Sequence, residues 1–167
     1  MADDGGDKVA AKALSYVYRL LARRDYTLAA LRERLSRRGY PGETVDYVLG
    51  EIRRLELVDD EDYARRYVTH VLEHKPQGRA KICRDLNGRG VERALARRVV
   101  DQLVDEEAEL DMARRALASK GGTYDRIHED RRSEARFYRF LKGRGFRDRV
   151  IRTALRVPEG SHRDQFS

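Results

Sequence analysis

Four short stretches of the sequence carry residue types that can do chemistry. H-V-L-E-H, His70 to His74, matches the H-x-x-E-H arrangement of one class of zinc protease. Residues four apart share a helix face, so both imidazoles can turn toward one metal ion. A third ligand has no clear candidate, because His128 and His162 fall in polar stretches. Glu73 and both histidines also stand just before K-P-Q-G, where a helix ends. The pair therefore reads as two solvent-facing histidines at a helix C-terminus, with no metal. D-D-E-D, Asp59 to Asp62, offers carboxylates to a divalent cation, but acids also suit the positive end of the helix dipole. The preceding Leu57-Val58 fits a hydrophobic staple, and capping is the reading adopted. Cys83, the only cysteine, has no His or Asp at a spacing that would activate a thiolate, so it reads as a small packing residue. L-K-G-R-G-F, Leu141 to Phe146, sets two glycines around an arginine. A phosphate loop follows a strand and opens a helix, whereas here a helical pattern precedes the glycines.

That pattern runs through the chain with the 3.6-residue period of amphipathic helices. Ala13, Leu14, Tyr16, Val17, Leu20 and Leu21 make a first stripe. Thr27 is placed to cap a second, Leu28, Leu31 and Leu35, which Gly39 and the turn Tyr40-Pro41-Gly42 end. Val45, Val48, Leu49, Ile52 and Leu55 make a third. After Val58 the pattern repeats. Asp59 or Asp60 caps a helix with Tyr63, Ala64, Tyr67, Val68, Val71 and Leu72, then come Ile82 and Leu86 up to Gly90, then Val99, Val100 and Leu103. A third round has Ala113, Ala116 and Leu117, a polar loop at 121–130, a helix capped by Ser133 with Phe137, Phe140 and Leu141, and finally Val150, Ile151, Ala154 and Leu155.

The rounds register on one another. L-x-x-R-G occurs at Leu35/Arg38/Gly39, Leu86/Arg89/Gly90 and Leu141/Arg144/Gly145, with glycines 51 and 55 residues apart. Each glycine is a helix stop, because the position after a helix favours a positive φ that glycine adopts without strain. The reading is all-α: an elongated, curved array of three tandem three-helix repeats. The expected divisions are a disordered N-terminus at 1–9, modules at 10–58, 59–104 and 105–157, and a C-terminal tail at 158–167.

The 167 residues carry a net charge of +7, which favours acidic partners such as nucleic acid or an acidic protein face. Residues 105–130 carry a net −4 and residues 131–156 a net +8. The candidate contact residues are therefore Arg65, Arg66, Lys75, Arg79, Lys81, Arg84 and Arg89 in the second module, and Arg136, Arg139, Lys142 and Arg144 in the third. Asp59, Asp60, Tyr63, Ala64, Gly78, Gly39, Gly90 and Gly145 read as shaping the modules. No apolar run approaches bilayer length and the acidic N-terminus lacks an apolar signal segment, so the expectation is a cytoplasmic protein with no membrane partner.

Several of these segments resemble the RecX family of regulatory proteins. A-L-S-Y-V-Y-R-L-L-A-R-R-D-Y-T-L-A-A-L-R-E-R-L is similar to that family's first module. L-V-D-D-E-D-Y-A-R-R-Y-V followed by P-Q-G-R-A-K-I-C-R-D-L-N-G-R-G-V resembles its most recognisable segment, here Asp59, Asp60, Tyr63, Ala64, Gly78, Ile82, Leu86, Gly90 and Val91. F-Y-R-F-L-K-G-R-G-F with V-I-R-T-A-L is similar to its third module, so the likeness spans about residues 10–157. The resemblance implies tandem three-helix modules that bind the RecA recombinase, chiefly its filament on single-stranded DNA. It implies inhibition of strand exchange, ATP hydrolysis and coprotease activity, with no catalytic residue and no cofactor. A monomer with direct but weak DNA contact is the expected state. The rival reading is a helical-repeat protein that binds DNA without RecA.

Overall fold

The structure, a computed structural model, describes residues 4–156, so the expected tail at 158–167 lies outside it. Ten helices are present among these residues: α1 (Asp4–Leu21), α2 (Leu28–Arg37), α3 (Gly42–Arg54), α4 (Asp60–His74), α5 (Arg79–Gly88), α6 (Arg93–Leu103), α7 (Glu106–Ser119), α8 (Tyr124–His128), α9 (Arg131–Gly143) and α10 (Asp148–Arg156). No strand occurs among them. The chain forms two compact units. One holds the described residues through Arg66 together with Leu86–Ala96, and the other holds Tyr67–Asp85 and the described residues from Arg97 onward. All three helices of the second round are thus divided between the two units.

In the first unit α3 packs on α1 and α2. The apolar stripes close on Ala13, Val17, Leu31, Leu35, Val48 and Ile52, all fully buried. Removing each leucine or isoleucine of that set from water is worth about 1.5–3 kcal/mol. In the second unit α7, α9 and α10 pack on one another around Met112, Phe137, Leu141 and Ile151.

Three details differ from the sequence reading. Residues 4–9, expected to be disordered, are already part of α1; half-buried Val9 continues the stripe of Ala13 and Val17 at four-residue spacing. The 121–130 loop contains α8, anchored by buried Ile127. The cap of α9 is Asp130, not Ser133: its carboxylate accepts from the Ser133 N–H at 2.6 Å, which holds that carboxyl below the usual range. Elsewhere the caps fall as expected. Thr27 Oγ1 accepts from the Ala30 N–H, and Asp59, rather than Asp60, accepts from the Glu61 and Asp62 N–H groups.

All three repeat glycines have left-handed backbones, with φ of 85° at Gly39, 90° at Gly90 and 83° at Gly145. They differ in what surrounds them. A Cβ on Gly39 meets nothing within 4 Å, whereas one on Gly90 would lie 2.5 Å from the Ala29 Cβ. Gly39→Ala should therefore cost only the left-handed strain, about 1–2 kcal/mol. Gly90→Ala should cost clearly more in the same urea titration, and equal losses would contradict the packing.

Candidate partner-binding surfaces and the joints behind them

The packing around Gly90 is one of two matching joints. In the first unit, Thr27 caps α2 and its Oγ1 also donates to the Arg89 carbonyl at 2.6 Å. The next N–H, Leu28, donates to Asp60 Oδ1 at 3.0 Å. In the second unit Gly78 stands at the start of α5, 51 residues after Thr27. Its N–H donates to the Arg144 carbonyl at 2.9 Å and the Ala80 N–H donates to the Gly145 carbonyl at 3.2 Å. The next N–H, Arg79, donates to Glu109 Oε1 at 3.4 Å. Each joint thus seats the R-G stop of one module against the start of the preceding module's middle helix. Each also presents an acid from the next module's first helix to the first free helical N–H. Uncapped N–H groups at a helix start need such acceptors, and the dipole favours a carboxylate there.

The acids differ in their surroundings. Asp60 is half-buried, and burial, opposed by the Leu28 N–H, raises its carboxyl above the ordinary range. Glu109 is fully buried, and its carboxylate also accepts from Arg147 Nε at 2.6 Å and from the Arg147 N–H at 3.3 Å. On the same unit Arg115 donates to the Leu72 and Glu73 carbonyls, closing the C-terminus of α4. None of Glu109, Arg115 and Arg147 was marked by the motif reading. Glu109 does carry a signal: it occupies the buried stripe of Met112, Ala113, Ala116 and Leu117, three, four, seven and eight residues before them, and a charge on such a stripe implies a buried partner.

Asp59 caps α4, Asp60 reaches Leu28, buried Ala64 packs in α4, and Tyr63 accepts from Arg89 Nη1 at 3.4 Å.

The candidate cations separate into two groups. Arg65, Arg66 and Arg89 lie in the first unit, and the rest lie in the second. Many are engaged inside their own unit. Arg79, only 19% exposed, pairs with Asp101. Lys81 pairs with Asp85 at 3.1 Å, Arg65 with Glu61 at 3.1 Å, and Arg66 with Asp62 at 3.2 Å and Asp25 at 3.4 Å. Arg144 donates to the Pro76 carbonyl at 3.2 Å and stacks over Phe140. Lys142 pairs with Asp148 at 2.6 Å, and the Lys142 ammonium and the Tyr138 hydroxyl hold the Asp148 carboxyl below its usual range. That pair therefore persists at neutral pH and is lost as pH falls through the depressed Asp148 pKa. Lys75, Arg84, Arg136 and Arg139 remain exposed with no ion pair among the described residues, Arg136 lying over the Phe137 ring. Arg79 and Arg144 are thus held by Asp101 and by Pro76 and Phe140 inside their own unit.

His70 and His74 have ring centroids 4.8 Å apart, both exposed. No group of three or more His, Cys, Asp and Glu among the described residues could hold a metal ion. Cys83 is half-buried, and burial pushes its thiol up, away from the thiolate that reactivity needs. No helix among the described residues is long and apolar enough to cross a membrane.

The fold and its joints define an all-α protein of tandem three-helix modules. Residues 13–51 match the family model for the first three-helix domain of RecX, and residues 59–100 match that for the second. "Regulatory protein RecX" of Thermus thermophilus is 34% identical over 149 residues, covering 89% of this chain and 93% of that protein. The protein of the same name from Halorhodospira halophila is 34% identical over 137 residues, covering 81% of each. The fold is shared with a crystal structure of RecX from Lactobacillus salivarius, at TM-score 0.79, 18% identity, and coverage of 89% of this chain and 96% of that one. A second crystal structure, of regulatory protein RecX, gives TM-score 0.78 at 23% identity, covering 87% and 72%. The chain belongs to the RecX family of regulatory proteins.

Proposed function

We propose that this protein binds the RecA recombinase assembled on single-stranded DNA and restrains the filament, lowering strand exchange, ATP hydrolysis and coprotease activity. Family membership over nearly the whole chain carries this reading. The protein acts as a monomer in the cytoplasm, through modules at 10–58, 59–104 and 105–157. Each module contributes a weak contact, and linked weak contacts add through effective concentration. Occupancy of the filament groove then competes with entry of a second strand. The contacting cations are Lys75, Arg84, Arg136 and Arg139, because their charges are not consumed internally.

Co-sedimentation tests the reading. The protein should pellet with RecA on single-stranded DNA at concentrations where it stays in solution with the DNA alone. Failure to pellet with the filament would remove the proposal, and equal pelleting with both would favour DNA binding without RecA. Reversing Lys75, Arg84, Arg136 and Arg139 to glutamate should weaken filament binding on the order of tenfold, mostly through slower association. The melting temperature should hardly move. Unchanged binding would clear these four residues of contact.

A further inference from the structure

The two joints are not equally held. Across the second, Gly78 and Ala80 bond backbone to backbone with Arg144 and Gly145, and fully buried Glu109 meets the Arg147 guanidinium. The two contacts across the first each run through a side chain: Thr27 Oγ1 to the Arg89 carbonyl, and the Leu28 N–H to Asp60. A cleft of about 520 Å³ also lies along the first joint. Ala29, Leu49 and Gly50 line it from α2 and α3, and Asp60, Gly90 and Glu92 line it from the second round of helices. Surfaces that face a cleft gain less packing than surfaces in contact. The stop at Gly90 therefore has room beside it and few bonds to break.

The charges that face Asp60 are Arg32 on α2, Asp46 and Arg53 on α3, Asp59 before its own helix, and Glu92 ahead of α6. Arg32 is taken up by Asp46 at 2.7 Å. Burial is the largest influence on the Asp60 carboxyl and raises it. Asp59 adds to that rise, and the Leu28 N–H and Arg53 oppose it. A carboxyl raised in the closed joint binds its proton more tightly closed than open. Closure is then favoured as pH falls through the raised pKa and weakened above it. We infer that the first joint is a proton-sensitive latch: Asp60 and the Arg89-Gly90 stop leave α2 together while α1–α3 stay packed, and a proton on Asp60 holds them in place. With Asp60 as carboxylate the latch is loose. Opening it lets α1–α3 move as a body without unfolding.

Amide hydrogen exchange on the full chain, read residue by residue by NMR, tests the latch. Leu28 and Gly78 each send an N–H across a joint, so they compare directly. Each rate is divided by the intrinsic rate of the same amide at the same pH. At about pH 7 Leu28 should be protected about tenfold less than Gly78, and also less than Val48 in the buried core of α1–α3, the mark of a local opening. Toward about pH 5 the protection of Leu28 should rise severalfold. Asp60→Asn keeps an oxygen for the Leu28 N–H but not the charge. It should protect Leu28 severalfold more at about pH 7 and remove the pH dependence. Leu28 protection equal to that of Gly78 or of Val48 overturns the inference. So does protection that falls toward low pH, or a rise that survives in Asp60→Asn. The comparisons within the wild-type chain hold even if the variant does not fold.

Discussion

Gly78→Ala should unfold the second unit at markedly lower urea than wild type, with a loss of about 3 kcal/mol or more, at the upper end for an overpacked site. The added Cβ would lie 2.1 Å from the Gly145 carbonyl carbon and from the Phe146 nitrogen, and 2.2 Å from the Gly145 oxygen. All three atoms belong to backbone, so no side chain can swing away. Relief requires the start of α5 to separate from the stop of α9. That movement stretches the Gly78 and Ala80 hydrogen bonds and the Arg79 N–H contact with Glu109 together. Gly88→Ala is the control: it stands at the end of α5 with open space around it, and alanine there should be neutral or slightly stabilising. If the two variants unfold at the same urea concentration, the close approach at Gly78 is wrong.

Glu109→Ala should be the other large loss. It removes the carboxylate on Arg147 Nε and the acceptor for two backbone N–H groups, while Arg147 Nη2 already lies buried without a hydrogen-bond partner among the described residues. Breaking one side of a buried ion pair costs about 3–5 kcal/mol. The low end applies here, because the Arg147 side chain is 40% exposed and part of its charge stays in water. Replacing both partners, Glu109→Leu with Arg147→Leu, should recover much of that loss, since an apolar pair leaves no uncompensated charge. The measurement is the coupling energy from the two single variants and the double. A Glu109→Ala cost no greater than the ~1 kcal/mol typical of any substitution would show that the carboxylate does not hold the joint.

These two residues also mark the limit of the sequence reading. The helical periods, the three R-G stops and the Thr27 cap were legible because each is set by neighbours within a turn or two. Gly78 was picked out for its place in a motif, but nothing local shows that its missing side chain makes room for Gly145, 67 residues away. Glu109 is one of three acids in the first turn of α7, and its place on the buried stripe distinguishes it. Arg79 and Arg144 read as surface cations because a linear pattern does not reveal Asp101, Pro76 or Phe140 beside them. Helix α8 escaped notice because five residues are too few to display a helical period. The repeat, visible in sequence, is still what gives these contacts meaning, since Thr27 and Gly78 occupy equivalent places 51 residues apart.

The central claim is that this RecX-family protein restrains RecA filaments, and ATP hydrolysis reports on it most directly. The protein should be titrated into RecA assembled on single-stranded DNA while hydrolysis is followed continuously. The account predicts that the rate falls progressively, at amounts well below one protein per recombinase subunit. An unchanged rate at equimolar protein would contradict it.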